Sequence, residues 1–414
     1  MIERLIDFSL RNRLLMFVLA GLVLAGGAWT WSRLPVNAVP DVSPVLVQVF
    51  TVTQGLAPVE VEKYVTYPIE RAMTGLPGVT EIRSSSGFGL SVVSVYFDDG
   101  MDIYFARQLV NQRLQEAREE IPAGFGEPQM GPISTGMGLI LYYYLADIND
   151  QYSLIEMRTI QDWIVKPRLA TVPGVTEVLG IGGYVKQYQV KVDPQALLRY
   201  DLTLGEVIER IENNNINVGA QFLEQGGEQY IVRSVGLASG IEDLKKIVVK
   251  TVDGTPIYLR DVADIEIGGA IRRGLQTLNG NKEVVAGMVV QLYGANTAAV
   301  IERVEAKLDQ LAEALPEGVK IVPYYQQADL VEASVDTVVD ALIEGVVLVV
   351  LVLLVFMGGF RPSVVVALAL PFSVLFGVIG MGYFDISANL MSLGGLAIAI
   401  GMMVDGAVVM VENV

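Results

Sequence analysis

Uncharged, hydrophobic residues dominate four stretches of this chain: Leu14 to Ser32, Gly345 to Phe360, Pro362 to Phe384 and Ile386 to Val404. A helix needs about 20 such residues to cross about 30 Å of hydrocarbon. With their polar flanks the stretches predict membrane helices at residues 14-33, 338-360, 362-384 and 388-412. The second reaches that length because Ala341 to Ile343 continue it past Glu344. Residues 34 to 337 are mixed and charged, and the last three spans follow with almost no loop. The layout is one anchor, one large domain and then a bundle. At residues 1-13, Ile2, Leu5, Ile6 and Leu10 fall near one face while Glu3, Arg4 and Asp7 lie elsewhere, predicting an amphipathic helix on the membrane surface.

Within the large domain, Leu76-Pro77-Gly78-Val79-Thr80-Glu81-Ile82 recurs 96 residues later as Val172-Pro173-Gly174-Val175-Thr176-Glu177-Val178. Each copy follows a helical pattern, which marks a duplicated unit. Around the first copy the periodicities predict a strand (Val45 to Thr53), a helix (Val59 to Met73), two strands (Val79 to Ser84, Ser91 to Asp98) and a helix (Ile103 to Glu120). Pro122-Ala123-Gly124 follows. This is the β-α-β-β-α-β order of a ferredoxin-like unit.

The second copy predicts a strand (Leu139 to Ala146), a helix (Leu154 to Thr171) and a strand (Val175 to Gly180). Only much later come a strand (Val284 to Tyr293) and a helix (Thr297 to Leu315). From Ile82 to Val92 is 10 residues and from Val178 to Val284 is 106, so about 96 residues are inserted into the second hairpin. The insert has its own signals: an extended run from Gln187 to Asp193, a helix from Leu204 to Glu212, and turns at Gly226-Gly227 and Asp253-Gly254. The alternative third strand of the second copy is Tyr184 to Val192.

Composition narrows the chemistry. With 29 Lys+Arg against 46 Asp+Glu the net charge is -17, which argues against nucleic acid as a partner. At 52% hydrophobic residues and mean hydropathy +0.46 the chain is too apolar for an ordinary soluble protein, yet 18% charged is too many for one wholly within lipid. The absence of His and Cys excludes a zinc finger, a Cys nucleophile, a His base and a disulfide framework. Gly87-Phe88-Gly89 and Gly136-Met137-Gly138 lack a phosphate-loop context and no nucleophile elbow is present, so neither an enzyme nor a bound cofactor is expected. Arg4, Arg11 and Arg13 before the first span and Arg361 between the second and third point to the cytoplasmic side. Trp29 and Trp31 then mark the outer interface, and the large domain is extracytoplasmic. The alternative for the first span is a cleavable signal peptide ending near Ala25 to Ala28. The sequence stops at Val414 with no polar tail, so a longer chain is expected.

The fourth apolar stretch carries the candidate chemistry. Asp405 has 19 uncharged residues before it and six after it. A carboxylate in a membrane helix costs about 2.5 to 3.5 kcal/mol on insertion scales and commonly marks an ion or proton pathway. At 100° per residue Asp405 and Glu412 lie about 20° from the same face with about 10.5 Å of rise between them, two potential stations for a proton. Met391, Met402, Met403 and Met410 crowd the same helix, and thioethers suit soft ions such as Cu(I) and Ag(I). Met391 and Met402 share the Asp405 face within about 60°, while Met403 and Met410 lie off that face. Gly395, Gly401 and Gly406 are expected to allow close helix contact.

Leu34-Pro35-Val36-Asn37-Ala38-Val39-Pro40-Asp41, Val65-Thr66-Tyr67-Pro68-Ile69-Glu70, Asp162-Trp163, Tyr188-Gln189-Val190-Lys191-Val192-Asp193-Pro194, Leu259-Arg260-Asp261-Val262-Ala263 and the Asp405 helix appear in the order found in resistance-nodulation-division (RND) exporters. The resemblance covers the whole chain and is to the heavy-metal efflux branch. It implies a membrane α-helical bundle plus an α+β extracytoplasmic domain, with two ferredoxin-like porter lobes (45-135; 136-182 and 276-330) and an inserted docking lobe (183-275). This chain resembles the first two-fifths of such a protein.

The resemblance implies a secondary transporter driven by proton antiport in the bacterial inner membrane, its large domain in the periplasm. It would act as a homotrimer with a periplasmic adaptor protein and an outer-membrane channel. Asp405 and Glu412 are the implied proton-coupling residues. Gly406 stands where drug exporters carry a second Asp, and Ala399 where divalent-cation members carry an extra Asp. Met391, Met403 and Met410 match positions where monovalent members place methionines, so Cu(I)/Ag(I) is the expected cargo. The alternatives are a divalent-cation exporter, a drug or solvent exporter, and an export-accessory or sensing protein of the same architecture.

Overall fold

A computed structural model describes residues 11–37, 42–53, 55–217, 219–233, 235–272, 274–356, 360–384 and 386–412. The surface helix expected at 1-13 falls mainly outside the described residues, as do Ala38 to Asp41. The chain divides into two compact units, one of residues 1–144, 165–179 and 287–414, the other of residues 145–164 and 180–286.

In the first unit, β1 (Val45–Val52) alternates buried and less buried positions, with Val45, Val47 and Val49 turned into the core. It pairs antiparallel with β3 (Leu90–Phe97), which also pairs with β2 (Val79–Gly87); β4 (Gln129–Met130) closes the other side of β1. The order β2-β3-β1-β4 is that of a split β-α-β unit. Ala106, Val110, Leu114 and Ala117 form a buried stripe at helical spacing on the Ile103–Glu120 helix, and with Val65, Ile69 and Met73 they cover the sheet.

The first of these helical segments is not continuous. A π-turn, Glu62–Thr66, separates Pro58–Val61 from Tyr67–Met73, and another, Gln161–Val165, separates Leu154–Ile160 from Lys166–Leu169. Each π-turn ends two residues before a proline, Pro68 or Pro167. Proline has no N–H for the carbonyl four residues back, and the wider turn accommodates the mismatch. Buried Thr66 exploits the bend: its hydroxyl is 2.8 Å from those of Ser86 and Ser91, tying the helix to the β2–β3 hairpin.

The repeated Pro-Gly turn also has a physical cause. Gly78 and Gly174 adopt φ of +73° and +93°, where a side chain is strained. A Cβ would meet the Met101 methyl at the first and Val300 Cγ2, at 2.6 Å, at the second.

Further along the chain lie β5 (Leu139–Asp147), β6 (Val175–Ile181), β7 (Lys186–Val192), β8 (Gly219–Gln225), β9 (Glu228–Arg233), β10 (Val248–Val252), β11 (Thr255–Tyr258) and β12 (Ala263–Gly269). They are followed by β13 (Gln276–Leu278), β14 (Lys282–Gln291) and β15 (Val319–Gln326). The second sheet has the order β13-β14-β5-β15, with β6 also on β14. Its third strand is therefore β14, and the alternative at Tyr184 to Val192 is excluded: β7 pairs with β12 in a ladder of its own, from Lys186↔Gly269 to Val192↔Ala263. Between these two strands lie the hairpins β8–β9 and β10–β11, turning at Gly226-Gly227 and Asp253-Gly254 with positive φ at both central residues. A separate core of Ala196, Val207, Leu244, Val249, Leu259 and Ile265 lies within this stretch.

Two helices here start with reciprocal capping boxes, Ser153 with Glu156 and Thr203 with Glu206. The Ser153 backbone N–H and hydroxyl hold the Glu156 carboxylate below its usual range, and Thr203 does the same for Glu206. A carboxylate lowered in the folded state adds stability above its unfolded pKa and loses it as pH falls through the folded one. Ser153→Ala should cost about 1 kcal/mol near neutral pH, and the gap to the parent should narrow as pH falls below the ordinary carboxylate range and Glu156 protonates. Thermal unfolding at several pH values reads both effects.

The helix Arg13–Trp31 is, among the described residues, the one long and apolar enough to cross a membrane. The later apolar segments form Gln327–Phe356, Phe360–Tyr383 and Leu390–Glu412. Phe360–Tyr383 packs against each of the other three. Its approach to Arg13–Trp31 depends on small residues, because a Cβ on Gly27 would lie 2.5 Å from Leu375 Cβ and one on Gly382 2.5 Å from Thr30 Cγ2.

Candidate functional site

Asp405, Glu412, Met391, Met403 and Met410 all lie on one helix, Leu390–Glu412, in the first unit. The side chains of Asp405, Met410 and Glu412 lie outside the described residues, so their backbone positions fix them to this helix and its 3.6-residue period only.

The start of that helix is firmly anchored. Asn389, 3% exposed, accepts hydrogen bonds at Oδ1 from the N–H groups of Met391 and Ser392, each at 3.0 Å, satisfying two of the donors a helix N-terminus leaves open. Ser392 Oγ accepts from Asn389 N–H at 2.9 Å and donates to the Ser387 carbonyl at 2.8 Å. Immediately before it, Ala388 N–H donates to the Pro35 carbonyl and Asn37 N–H to the Ala388 carbonyl, at 2.8 and 3.0 Å. The Pro35-Val36-Asn37 part of the motif after the first helix thus forms a bridge to the entry of the carboxylate helix. Leu34, Met381, Ala388 and Leu393 bury a small apolar cluster beneath it. Thr297 Oγ1 lies 3.3 Å from Asn37 Oδ1, which extends the polar linkage to the Thr297–Ala312 helix. Asn389 and Ser392 were not singled out as positioning residues in the sequence. The spacing Ser387-x-Asn389-x-x-Ser392 ahead of an apolar run was the available signal.

Met391 is 70% exposed and Met403 47% exposed. Twelve residues separate them, about 18 Å of helix rise, so they cannot share one ion; they can only be successive contacts. Among the described residues no group of three or more Asp or Glu side chains is placed to hold a metal. At Gly395, Gly401 and Gly406 a Cβ would meet nothing within 4 Å among the described residues. Close packing onto this helix comes from the other side, where a Cβ added to Gly377 of Phe360–Tyr383 would lie 2.8 Å from Leu396 Cδ1.

Away from this helix, the Asp162-Trp163 motif contains a partly buried ion pair. Arg158 Nε donates to Asp162 Oδ2 at 2.8 Å, and its Nη1 to the Gly182 carbonyl at 2.9 Å. Asp162 thereby orients a guanidinium that clasps the strand end; Trp163 is 79% exposed.

Comparison with known proteins agrees along the whole chain. Protein HelA of Legionella pneumophila is 45% identical over 418 residues, and the cobalt-zinc-cadmium resistance protein CzcA of Cupriavidus metallidurans is 46% identical over 422. The cation efflux system protein CusA of Escherichia coli K12 is 40% identical over 414. Each alignment covers 100% of this chain and 39% of the relative, so the chain spans about two-fifths of these proteins' length. A crystal structure of a heavy metal efflux pump superposes with a TM-score of 0.90 at 36% identity, covering 99% of this chain and 41% of that one. The AcrB/AcrD/AcrF family model matches residues 5–414, and the chain belongs to that family, in the RND superfamily and alongside relatives that include heavy-metal efflux pumps.

Proposed function

We propose that the protein containing this chain exports heavy-metal cations from a bacterial inner membrane by proton antiport, and is a transporter with no enzymatic reaction of its own. The carrying observation is the Leu390–Glu412 helix, in which Asp405 interrupts an uncharged run in a chain whose relatives include proteins named for cation efflux. In this reading Arg13–Trp31, Gln327–Phe356, Phe360–Tyr383 and Leu390–Glu412 are four spans of the membrane bundle. Residues 45-135 and residues 136-182 with 276-330 act as periplasmic porter lobes, and residues 183-275 as the docking lobe. The working assembly is a homotrimer joined to a periplasmic adaptor and an outer-membrane channel.

Cu(I) or Ag(I) is the favoured cargo. A chain without His or Cys offers carboxylates and thioethers, and thioethers select soft monovalent ions. Ala399 supplies no additional carboxylate in the helix, while the exposed thioethers of Met391 and Met403 are open to a passing ion. A divalent cargo is the second reading, favoured by the 46% identity to a protein named for cobalt, zinc and cadmium resistance.

The test is metal export by the full-length protein in proteoliposomes carrying an imposed pH gradient, with Ag(I), Zn(II) and Co(II) offered separately. Replacing Met391, Met403 and Met410 together by leucine keeps volume and apolarity, so packing should change by less than about 1.5 kcal/mol per site. Ag(I) export should fall at least about tenfold with protein levels unchanged, given that soft-ion contacts are lost. Undiminished Ag(I) export by that variant removes the monovalent reading. Export that ignores the pH gradient removes the antiport.

A further inference from the structure

We propose that the outer end of the groove between the helices Arg13–Trp31 and Phe360–Tyr383 is a binding site for the phosphate of an anionic phospholipid. The proposal rests on reading Arg13–Trp31 as a membrane span. A cavity of about 500 Å³ opens there, lined by Trp29, Arg33, Leu34, Pro35, Ile379 and Tyr383 together with Thr30 and Gly382. It exists because Gly27 and Gly382 bring the two helices close just beneath it.

The lining is one-sided in charge. Among the described residues, Arg33 is its sole ionisable cation and no carboxylate lines it. The guanidinium carbon stands 4.3 Å from the centre of the Trp29 ring, a cation–π contact that orients the group without neutralising it. Among the described residues no carboxylate pairs with Arg33, and neither the Trp29 indole N–H nor the Tyr383 hydroxyl has a hydrogen-bond partner. Three kinds of donor therefore line one groove with no acceptor among the described residues. The Thr30 hydroxyl is already committed to the Gly26 carbonyl at 2.8 Å. Leu34 and Ile379 add apolar wall, so the groove presents hydrocarbon surface beside its donors.

The depth fits a headgroup. Arg13–Trp31 has 19 residues, about 28 Å of helix and close to the hydrocarbon thickness, and Arg33 follows two residues beyond its end. Trp29, Trp31, Tyr383 and Phe384 are all exposed at that end, as aromatic residues are at a membrane interface. Arginine binds phosphate through a planar fork of N–H donors, and an exposed indole and phenol can complete the set. A free phosphate ion offers the same oxygens but has no acyl chains to use the apolar wall. That difference favours the lipid.

The full-length protein in nanodiscs provides the test, by native mass spectrometry of retained lipid. Dioleoyl-phosphatidylglycerol mixed into phosphatidylcholine should be retained in preference to phosphatidylcholine. Arg33→Gln should weaken phosphatidylglycerol retention at least about tenfold, Arg33→Lys should restore part of it, and circular dichroism should be unchanged because Arg33 is exposed. Equal phosphatidylglycerol retention by the parent and Arg33→Gln overturns the proposal. Displacement of the lipid by millimolar inorganic phosphate alone assigns the site to the free ion and also overturns it. Extraction of the parent protein from membranes by alkaline carbonate would instead refute the membrane reading, so the two failures are separable.

Discussion

Asp405→Asn in the full-length protein should abolish proton-driven metal export while leaving expression, assembly and thermal unfolding unchanged. Asparagine has the size and nearly the hydrogen-bonding capacity of a protonated aspartic acid, but it cannot take up or release a proton. The position is demanding: residues 386–404 before it and 406–411 after it carry no charge. A carboxylate retained there at a cost of about 2.5 to 3.5 kcal/mol needs a reason, and proton exchange is one the antiport reading supplies. Metal resistance of cells expressing Asp405→Asn should drop to that of cells lacking the protein. Glu412→Gln should be milder, because Glu412 lies seven residues beyond Asp405, where the uncharged run ends. Full metal tolerance with Asp405→Asn would end the assignment.

A large stability loss is expected at Gly287→Ala. Gly287 lies on β14, and a Cβ there would land on Cζ and Oη of Tyr143 and 2.6 Å from its Cε2. Tyr143 is 0% exposed, so its ring cannot swing into water to make room. One added methyl must shift the sheet or force the ring off its rotamer, a cost of about 3 kcal/mol at the upper end of ordinary overpacking. Tyr143→Leu alone should also destabilise, by removing buried ring surface. The double variant Gly287→Ala/Tyr143→Leu should be more stable than the sum of the two losses by at least about 1 kcal/mol, since the clash partner is gone. Thermal unfolding of the four proteins closes the cycle, and strict additivity would show that the two residues do not compete for the same space.

Gly287 was not foreseen, and the reason separates local from long-range information. The β1 alternation, the Ala106-Val110-Leu114-Ala117 stripe, the Asp253-Gly254 turn and the shared Pro-Gly turn at Gly78 and Gly174 are fixed within a few neighbouring residues. Periodicity and the sign of φ act over that range, and so the sequence displayed them. Asp405 was visible for the same reason, as a charge inside an uncharged run. The π-turns were missed although Pro68 and Pro167 announce them, because apolar spacing alone suggested unbroken helices. Strand pairing is different. Tyr184 to Val192 and Val284 to Tyr293 have equally strand-like patterns, and the choice of β14 for the second sheet depends on contacts with β5 and β6 far away in sequence. The close-packing glycines follow the same logic: Gly27, Gly377 and Gly382 meet neighbouring helices, whereas a Cβ on Gly395, Gly401 or Gly406 meets nothing within 4 Å among the described residues. A glycine reads identically in either setting. The sequence by itself determined the elements, their turns and the lone carboxylate, while only the tertiary structure decided which strand joins which sheet, which glycine touches a neighbour and how Asn389 anchors the carboxylate helix, because those outcomes depend on atoms brought together by folding.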